Sequence, residues 1–572
     1  MKILDKKSNY TDIDYKTINN IKSLTLDILN NNEFAFSSYN FSCSYLIYLL
    51  YTKFLNFDIK NNKWINKDKL ITTLDVKSLI KSTKFMCNII PIDILKDKNK
   101  LSSPKSLSYA VGNCLKERYL NKKYLITKKK SLVSFNTYFL CSSDDLKSSE
   151  SYEAIQFSGE NKLDKLIVLC MTNDNDKKLY ELFKINNWDV SKSSCNNLDI
   201  LDLCITKAKK ALKPSIIFIE TEKEEVKFLS ADVIKEMKDK LDVRDIPFTI
   251  YDETKSHVEE LTISRNNKII NDWNKLYNKN KGKFNEENIE FKEKKDLVTN
   301  KINNSFVLSM IDNNLLNKYL TKKEKYINFT NYKNLIGEIS LSIDDESITA
   351  FSIKDLDYIL EDIKKSSIIN KHNLYILEDI DIYDDYFDKS FMTLSNLRSI
   401  PNLTVYRCAD ENEFVGAYLS YLKHDNPSVI IIPKEELEIS KTKIDEIDNG
   451  AYIIKKETKP KGVLIATGPE INIALEVQKK LKNIGILINV VSMPSIELFL
   501  KTDIKYKQKI LPDIPKAVIE FLSPNSWYVL GLNDKQICSI NKYKDGENKE
   551  QIEKYYKITV DDIYNKVKKL FN

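Results

Sequence analysis

Glycine and histidine are scarce in this chain. It has 11 glycines and three histidines among 572 residues, whereas average usage would put glycine alone at roughly 7%. No two glycines stand in a G-x-G arrangement, so no loop can bring successive bare amides to a phosphate as dinucleotide and P-loop sites do. His257, His372 and His424 form no pair at metal-ligand spacing. Two large classes of active site are therefore poorly supported.

The chain also lacks paired cysteines and a membrane-length apolar run. Its nine cysteines are scattered and contain no C-x-x-C, which is typical of small buried hydrophobes in a reducing compartment. The first residues form no apolar signal core. The apolar run 45–50 is far shorter than the roughly 20 residues of a membrane helix. These absences predict a soluble, cytoplasmic protein without a membrane partner.

Charge is abundant but nearly balanced. Lys and Arg together number 89 against 82 Asp and Glu, a net charge of +7, and arginine is rare, which argues against bidentate phosphate recognition. The composition therefore does not predict a nucleic-acid partner, because a nucleic-acid face needs a localised basic stripe. Lysine clusters at 122–130 and 275–295 leave open a binding module for anions, but interleaved acids favour a solubilising surface instead.

Apolar runs alternate with amphipathic segments along the chain. A length of 572 residues predicts three or four domains at roughly 150 residues each. The charged stretch 222–300 indicates a solvated connection or a polar surface helix pair. The alternation itself predicts an α/β fold with doubly wound sheets. The predicted helices are 15–31, 44–56, 77–86, 106–121, 199–212, 470–483 and 560–571, and the predicted strands are 70–72, 134–142, 165–173, 215–221, 372–379, 403–408, 428–433, 463–468 and 486–494.

An ordered set of segments resembles the transketolase family. The C-terminal ones are GAYII, GVLIATGPEINIALEVQKKL, INVVSMPS and ITVDDIYNKVKKL, and the upstream ones are PNLTVYRCADENEFVGAYLSYL, DKLITTLDVKS and SSPKSLSYAVGNCLKERY. The resemblance covers nearly the whole chain. It implies three doubly wound domains of transketolase type: diphosphate-binding (1–290), pyrimidine-binding (291–435) and C-terminal (436–572).

The family uses thiamine diphosphate and a divalent metal to move two-carbon ketol units between sugar phosphates in the pentose phosphate pathway, with the cofactor between two chains of a dimer. Its Gly-Asp-Gly metal turn aligns with Ser142, Ser143 and Asp144 here, so that Ser143 stands at the position of the ligand Asp. Asn173 holds the position of the family's ligand Asn, and Glu153 matches a glutamate beside the site. A shift of one residue in this alignment would place Asp144 at the position of the ligand Asp.

Other positions implied by the resemblance also depart from the family pattern. Lys333 stands where the activating glutamate is expected, and an ammonium has donors but no acceptor. The second glycine-rich turn is replaced by residues 101–106, which carry side chains where a cofactor must approach the backbone. Only His257 overlies a family histidine; the remaining substrate-binding positions fall on 35–38, 74–78, 378–379, Asp388, Asn300 and Lys434.

These replacements predict a transketolase-like pseudoenzyme that has lost thiamine-dependent ketol transfer. No catalytic residue is assigned, and Ser142, Ser143, Asp144, Glu153 and Asn173 are interpreted as remnants of the cofactor and metal site. We expect no cofactor, a structural or regulatory role, and a homodimer or a heterodimer with an active transketolase. The alternative is a divergent active transketolase that retains thiamine diphosphate and Mg²⁺.

Overall fold

The structure is a computed structural model. It describes residues 8–96, 106–128, 130–173, 176–281, 347–352, 356–378, 392–432, 443–542 and 549–571. The described chain forms two compact units, 8–281 and 347–571. Both are α/β structures whose sheets consist largely of parallel strands, so the predicted fold class is confirmed.

The first unit alternates helices with short, buried strands. Its helices are α1 (Asp12–Asn31), α2 (Tyr39–Ser42), α3 (Ser44–Leu49), α4 (Lys77–Met86), α5 (Ile92–Lys96), α6 (Leu107–Lys123), α7 (Ser149–Glu160), α8 (Lys177–Ile185), α9 (Leu198–Lys210), α10 (Ala231–Lys240) and α11 (Asp252–Asn280). Its strands are β1 (Phe36–Ser37), β2 (Lys69–Thr72), β3 (Leu125–Thr127), β4 (Lys130–Ser131), β5 (Thr137–Ser142), β6 (Leu166–Thr172), β7 (Asp189–Ser194), β8 (Ser215–Glu220) and β9 (Val226–Lys227).

Five of these strands form a parallel sheet in the order β2-β5-β6-β8-β7. Every residue of the central strand β6 is buried, because helices cover both faces of a parallel sheet. The carboxyl ends of β2, β5, β6 and β8 consequently meet at one edge, where open α/β sheets bind their ligands. A separate antiparallel pair, β1 with β9, joins Ser37 to Val226.

The second unit contains two sheets. Its helices are α12 (Leu356–Ile368), α13 (Thr393–Arg398), α14 (Glu411–Lys423), α15 (Glu470–Asn483), α16 (Ile496–Lys501), α17 (Ile504–Ile510), α18 (Lys549–Tyr556) and α19 (Val560–Phe571). Its strands are β10 (Ser347–Ser352), β11 (Asn373–Glu378), β12 (Thr404–Arg407), β13 (Ser428–Ile432), β14 (Tyr452–Lys455), β15 (Gly462–Ala466), β16 (Ile488–Ser492), β17 (Lys516–Ile519) and β18 (Ile537–Cys538). The sheet orders are β10-β11-β13-β12 and β14-β16-β15-β17-β18, with β14 antiparallel to its neighbour.

One hydrophobic core spans both sheets of the second unit. Val405 of β12 and Leu464 of β15 belong to the same buried cluster. Val463 and Ile465 contribute instead to a second cluster, so successive residues of β15 face opposite sides and both faces of this sheet are buried.

Buried polar groups also connect these two sheets. Glu413 of α14 accepts hydrogen bonds from the Tyr452 hydroxyl (2.8 Å), the Ser492 hydroxyl (2.5 Å) and the Ala409 backbone N–H (2.7 Å). Although these donors oppose it, burial raises the pKa of Glu413 to about 7. The Glu413 carboxyl group thus receives two donors from the sheet of β14–β18 and one from the loop after β12, and it holds these segments in one fixed arrangement.

A buried ion pair lies at the same junction. The Arg407 guanidinium is 2.8 Å from a carboxylate oxygen of Glu470. Gly468 adopts a φ of +60°, and a Cβ placed on it would lie 2.9 Å from the Arg407 guanidinium carbon. Glycine is therefore required at this position both for its backbone conformation and for the close approach of the arginine.

The charged stretch 222–300 was predicted to be either a solvated connection or a polar surface helix pair, and its described part contains two helices. Residues 231–240 and 252–280 are the helices α10 and α11, so the polar helix pair describes this part better than an extended connection does. The remainder, 282–300, lies outside the described residues. Helix α1 begins at Asp12, three residues before the prediction, because Thr11 and Asp14 form a capping box.

Each of the three large sheets lies within one of the three predicted segments. The numerical boundaries at 290 and 435 stay predictions. Among the helices that the structure describes, none has the length and apolar character needed to span a membrane.

Candidate functional site

The candidate site lies at the carboxyl edge of the five-stranded sheet in the first unit. Backbone hydrogen bonds tie the ends of neighbouring strands together there: Thr73 N–H donates to the Leu140 carbonyl (3.1 Å), and Ser143 N–H donates to the Met171 carbonyl (3.1 Å). The loops after β2, β5 and β6 are thus adjacent. Sequence-distant residues 73, 142–147 and 173 meet at this edge because parallel strands end together.

The turn after β5 closes on its own side chains. One carboxylate oxygen of Asp145 accepts hydrogen bonds from the Ser142 backbone N–H (2.8 Å), the Ser142 hydroxyl (2.7 Å) and the Thr73 hydroxyl (2.7 Å). The Asp145 carbonyl accepts a further bond from the Ser151 hydroxyl (2.7 Å) of α7. Three donors on one oxygen occupy it fully, since a carboxylate oxygen offers about two lone-pair sites.

Asp144, which precedes Asp145 in the chain, accepts none of the hydrogen bonds that close the turn. The Asp144 side chain is 86% exposed and pairs with Lys147 at 2.8 Å. The same ammonium lies 3.7 Å from Asp176, which caps α8 by accepting from the Leu179 N–H. Lys147 therefore links the turn after β5 to the start of α8. Exposed pairs of this kind contribute little to stability.

A second group of residues borders the same unit's β1–β9 pair. The Ser37 hydroxyl donates to Glu224 (2.6 Å), and the Glu225 backbone N–H donates to the Ser38 hydroxyl (3.0 Å). Burial, and next the nearby Glu224 carboxylate, raise the pKa of Tyr39 to about 12. The loop after β8 therefore places a carboxylate in the surroundings of Tyr39.

The structure brings together some of the predicted remnants and separates others. Ser142 and Ser143 lie at the end of β5, with Ser143 only 9% exposed, and Asp144 follows in a short 3-10 turn. Asn173 directly follows β6 and is exposed, and Glu153 is half-buried on α7. Lys333 lies outside the described residues, together with 101–105, Asn300, Asp379, Asp388 and Lys434.

His257 does not join this edge. Its Nε2 lies 3.1 Å from the Asp14 carboxylate and 3.2 Å from the Tyr48 hydroxyl, which itself donates to Asp14 at 2.6 Å. Burial opposes ionisation of Asp14, but hydrogen bonds from Thr11, Tyr48 and His257 together lower its pKa. These contacts connect α11, α1 and α3, so His257 serves the packing of helices.

The residues at the turn do not fit a divalent metal. Mg²⁺ requires oxygen ligands in near-octahedral order, with carboxylates supplying charge. Ser143 supplies no carboxylate, Asp144 extends into solvent, and one oxygen of Asp145 is consumed by three hydrogen bonds. Within the described ranges, no group of three or more His, Cys, Asp or Glu is arranged to hold a metal ion.

Sequence reasoning missed the role of Asp145. It lies next to the predicted Asp144, but its partner Thr73 is 72 residues away in sequence. The available signal was the pair of acids after a buried strand, in which the spacing of Ser142 and Asp145 suits a local side-chain turn. The pairing of β2 with β5 then decides which of the two acids faces inward.

Two family models match this chain. One is described as the transketolase thiamine diphosphate binding domain and matches residues 104–298. The other is described as a transketolase-like C-terminal domain and matches residues 450–559. The first match includes the turn after β5, and the second includes the sheet of β14–β18.

Whole-length relatives carry the same name. The chain is similar to a transketolase of Aquifex aeolicus, at 26% identity over 97% of this chain and 94% of that protein. It is also similar to a transketolase of Bacillus subtilis, at 24% identity over 98% and 99%. Among solved structures, transketolase from Leishmania mexicana aligns at a TM-score of 0.85 and 18% identity over 98% of both chains. The Campylobacter jejuni transketolase aligns at 0.82 and 20% identity over 98% and 100%.

The expectation that this chain takes no cofactor is wrong. The matched N-terminal family model is that of a thiamine diphosphate binding domain, and it covers the very turn from which the expectation was drawn. The turn departs from metal-binding chemistry, but that departure concerns the metal ligands and does not remove thiamine diphosphate from the family to which the domain is matched.

Proposed function

This chain belongs to the transketolase family, and from that premise we propose that it is a member that has lost ketol transfer between sugar phosphates. Its role is then structural or regulatory. The proposal concerns the reaction alone. Binding of thiamine diphosphate is a separate property, which the family match supports.

The closed turn after β5 carries the proposal. One carboxylate oxygen of Asp145 accepts hydrogen bonds from Ser142 and Thr73. The neutral Ser143 stands at the position that the family resemblance assigns to the metal-binding acid. A hydroxyl adds no negative charge to a cation site, and charge count strongly tunes such affinities. Without a metal, the negative charge of a diphosphate held near this edge would be repelled by the Glu224 carboxylate, whereas the Asp144 carboxylate is already paired with Lys147.

Lys333 supports the proposal from the sequence. The resemblance places it where the family has the glutamate that activates the cofactor. That step needs a group that accepts a hydrogen bond from a ring nitrogen, whereas a lysine ammonium has three donors and no acceptor. Its positive charge would also oppose protonation of the ring. No step through the cofactor is therefore assigned to this chain.

A divergent active transketolase is the second candidate. Two observations favour it: the match to the thiamine diphosphate binding domain, and the exposed Asn173 at the end of β6, where an amide oxygen could serve as a ligand. Under this candidate the metal would need ligands other than the Asp145 oxygen engaged in the closed turn.

A ketol-transfer assay decides between the two. The full-length protein is incubated with xylulose 5-phosphate, ribose 5-phosphate, thiamine diphosphate and Mg²⁺, with an active transketolase as positive control. We expect no product above the blank. Turnover that scales with protein concentration would establish the second candidate and end the first.

A cofactor titration keeps binding distinct from turnover. Calorimetry with thiamine diphosphate is run with and without Mg²⁺ on the wild type, on Ser143→Asp, and on Ser399→Asp as an exposed control in the second unit. Ser143→Asp should increase the Mg²⁺ dependence of binding, because it adds a carboxylate at the deficient position. A wild type that already shows strong Mg²⁺ dependence would mean that the turn holds a metal after all.

We further propose a cytoplasmic dimer, formed by two copies or by one copy and an active transketolase. None of the nine cysteines, all of which lie in the described residues, forms a disulfide, which suits a reducing compartment. Light scattering after size exclusion measures the mass of the pure protein against 66.6 kDa for one chain. Mixing with a tagged active transketolase then distinguishes the two kinds of dimer. The lysine clusters at 122–130 and 275–295 stay assigned to a solubilising surface.

A further inference from the structure

A cavity opens at the amino edge of the five-stranded sheet, opposite the edge that holds the candidate site. Its volume is about 590 Å³, within the range of small-molecule sites. Three loops line it: the α7–β6 loop with Lys162, the α8–β7 loop with Asn187, and the α9–β8 loop with Ala211, Leu212 and Lys213. The inference drawn from this cavity is independent of the proposed function.

The charges around the cavity are mostly positive. Four lysines line it, Lys162, Lys207, Lys210 and Lys213, and the only lining acid is Asp189. Asp189 lies 3.3 Å from Lys207, so this pair is neutral overall. In the part of the chain that the structure describes, no acid lies within ion-pair distance of the other three ammonium groups. Three positive charges therefore share one concave surface without compensation.

The favourable interaction of lysines with helix carboxyl ends explains only some of the positive charges around the cavity. Lys207 and Lys210 lie in the last turn of α9, where cations interact favourably with the carbonyl end of a helix. Lys162 and Lys213 lie beyond the helix ends and gain less from that effect. The carbonyls that follow α7 are already occupied, because the Arg118 guanidinium donates to Asn161 (2.7 Å) and Lys162 (3.1 Å). The residual field in the cavity is positive.

The backbone and an apolar wall give the cavity a defined shape. Lys162 and Asn187 both adopt left-handed conformations, with φ values of 48° and 63°, which direct their loops sharply into the following strands. Leu212 lies on the wall and is 85% exposed. A large exposed apolar side chain beside unpaired cations suits a ligand with an apolar part and several anionic groups.

We propose that this cavity binds a small polyanion, such as a metabolite carrying two or more phosphate groups. Three uncompensated ammonium groups match the charge of a chain of phosphates better than that of one phosphate. The volume also exceeds what a single phosphate fills. Lysines act here as point charges and require no bidentate geometry, which fits a chain with few arginines.

Titration calorimetry of the full-length protein with inorganic tripolyphosphate, without divalent metal, tests the site. The Lys210→Glu/Lys213→Glu variant should weaken binding at least about tenfold, because two attractions become repulsions. The control Lys235→Glu/Lys240→Glu makes the same charge change on exposed positions of α10 and should change affinity less than about twofold. Ala211→Trp fills a lining position without altering charge and should also weaken binding.

The outcomes separate a built site from a diffuse field. Equal weakening by the α10 control, or unchanged binding in Ala211→Trp, would overturn the proposal in favour of non-specific attraction. Absence of tripolyphosphate binding at low salt would overturn it outright. Orthophosphate binding as tightly as tripolyphosphate would reject the polyanion, and tighter binding of a single-stranded oligonucleotide would indicate nucleic acid instead. Unchanged thermal unfolding midpoints in all variants show that each remains folded.

Discussion

The buried ion pair between α1 and α10 is the contact whose loss should destabilise the first unit most clearly. Lys238 Nζ lies 2.5 Å from Asp27, and the two side chains are only 1% and 5% exposed. The other Asp27 oxygen accepts the Phe248 N–H at 2.8 Å. Asp27→Asn keeps an acceptor for that N–H but leaves the lysine charge buried. Removing one partner of a buried pair costs about 3–5 kcal/mol.

The magnitude should fall at the lower end of that range. Asp245 lies 4.0 Å from Lys238 Nζ and is 43% exposed, so it can compensate part of the stranded charge. We therefore expect Asp27→Asn to cost about 3 kcal/mol of unfolding free energy. Asp27→Asn/Lys238→Met removes the charge as well and should regain about 2 kcal/mol, since apolar replacement of a buried pair is often neutral.

An exposed pair on the same helix supplies the matched control. Glu236 and Lys240 are 2.6 Å apart, but their side chains are 65% and 73% exposed, so Glu236→Gln should cost no more than about 0.5 kcal/mol. Urea unfolding followed by tryptophan fluorescence reports mainly on this unit, because Trp64, Trp188 and Trp273 belong to it. If Asp27→Asn costs no more than Glu236→Gln, the burial argument is refuted.

Three further outcomes follow from single positions. The pKa of Glu413 in the folded protein, about 7, lies above its ordinary value of 4.5. Protonated Glu413 therefore stabilises the folded state fully below about pH 4.5. This contribution to the free energy of unfolding, about 3 kcal/mol, is lost as the pH rises to about 7. Urea midpoints across that range should show this slope, and Glu413→Gln should flatten it. Gly468→Ala should lower the unfolding midpoint more than Gly485→Ala, because both have positive φ but only Gly468 has atoms within 4 Å of the added Cβ. Asp145→Ala should destabilise the first unit by about 1–3 kcal/mol, because it strips the acceptor from three donors. Thr73→Val removes only one of these donors and serves as the control. If hydrogen exchange at the turn rises in Asp145→Ala but not in Thr73→Val, the destabilisation comes from the turn itself.

Local patterns were sufficient for many element boundaries. The helices 77–86, 470–483 and 560–571 were predicted residue for residue, because apolar periodicity and terminal residues act over one or two turns of chain. The buried strands also follow from local composition, since a parallel strand covered on both faces must be apolar throughout. The ordered motifs added the family and the fold.

Long-range pairings were decided only by the tertiary structure. Strand β8 lies between β6 and β7, although the sequence places β7 before it. The sequence does not show which of Asp144 and Asp145 faces inward. The pairing of β2 with β5 decides this, because it places the Thr73 hydroxyl beside Asp145. The expectation that no cofactor binds failed for a related reason: it extended a judgement about a few ligand positions to the whole domain.

The sequence by itself determined where several of the helices and the buried strands form, because these depend on residues a few positions apart. Which acids face inward, which lysine lies beside Asp27, and where lysines from two loops and from helix α9 line a cavity depend on contacts between distant segments. Such contacts arise only when the strands take their order in the sheet, since the carboxyl and amino edges gather residues by topology and not by sequence.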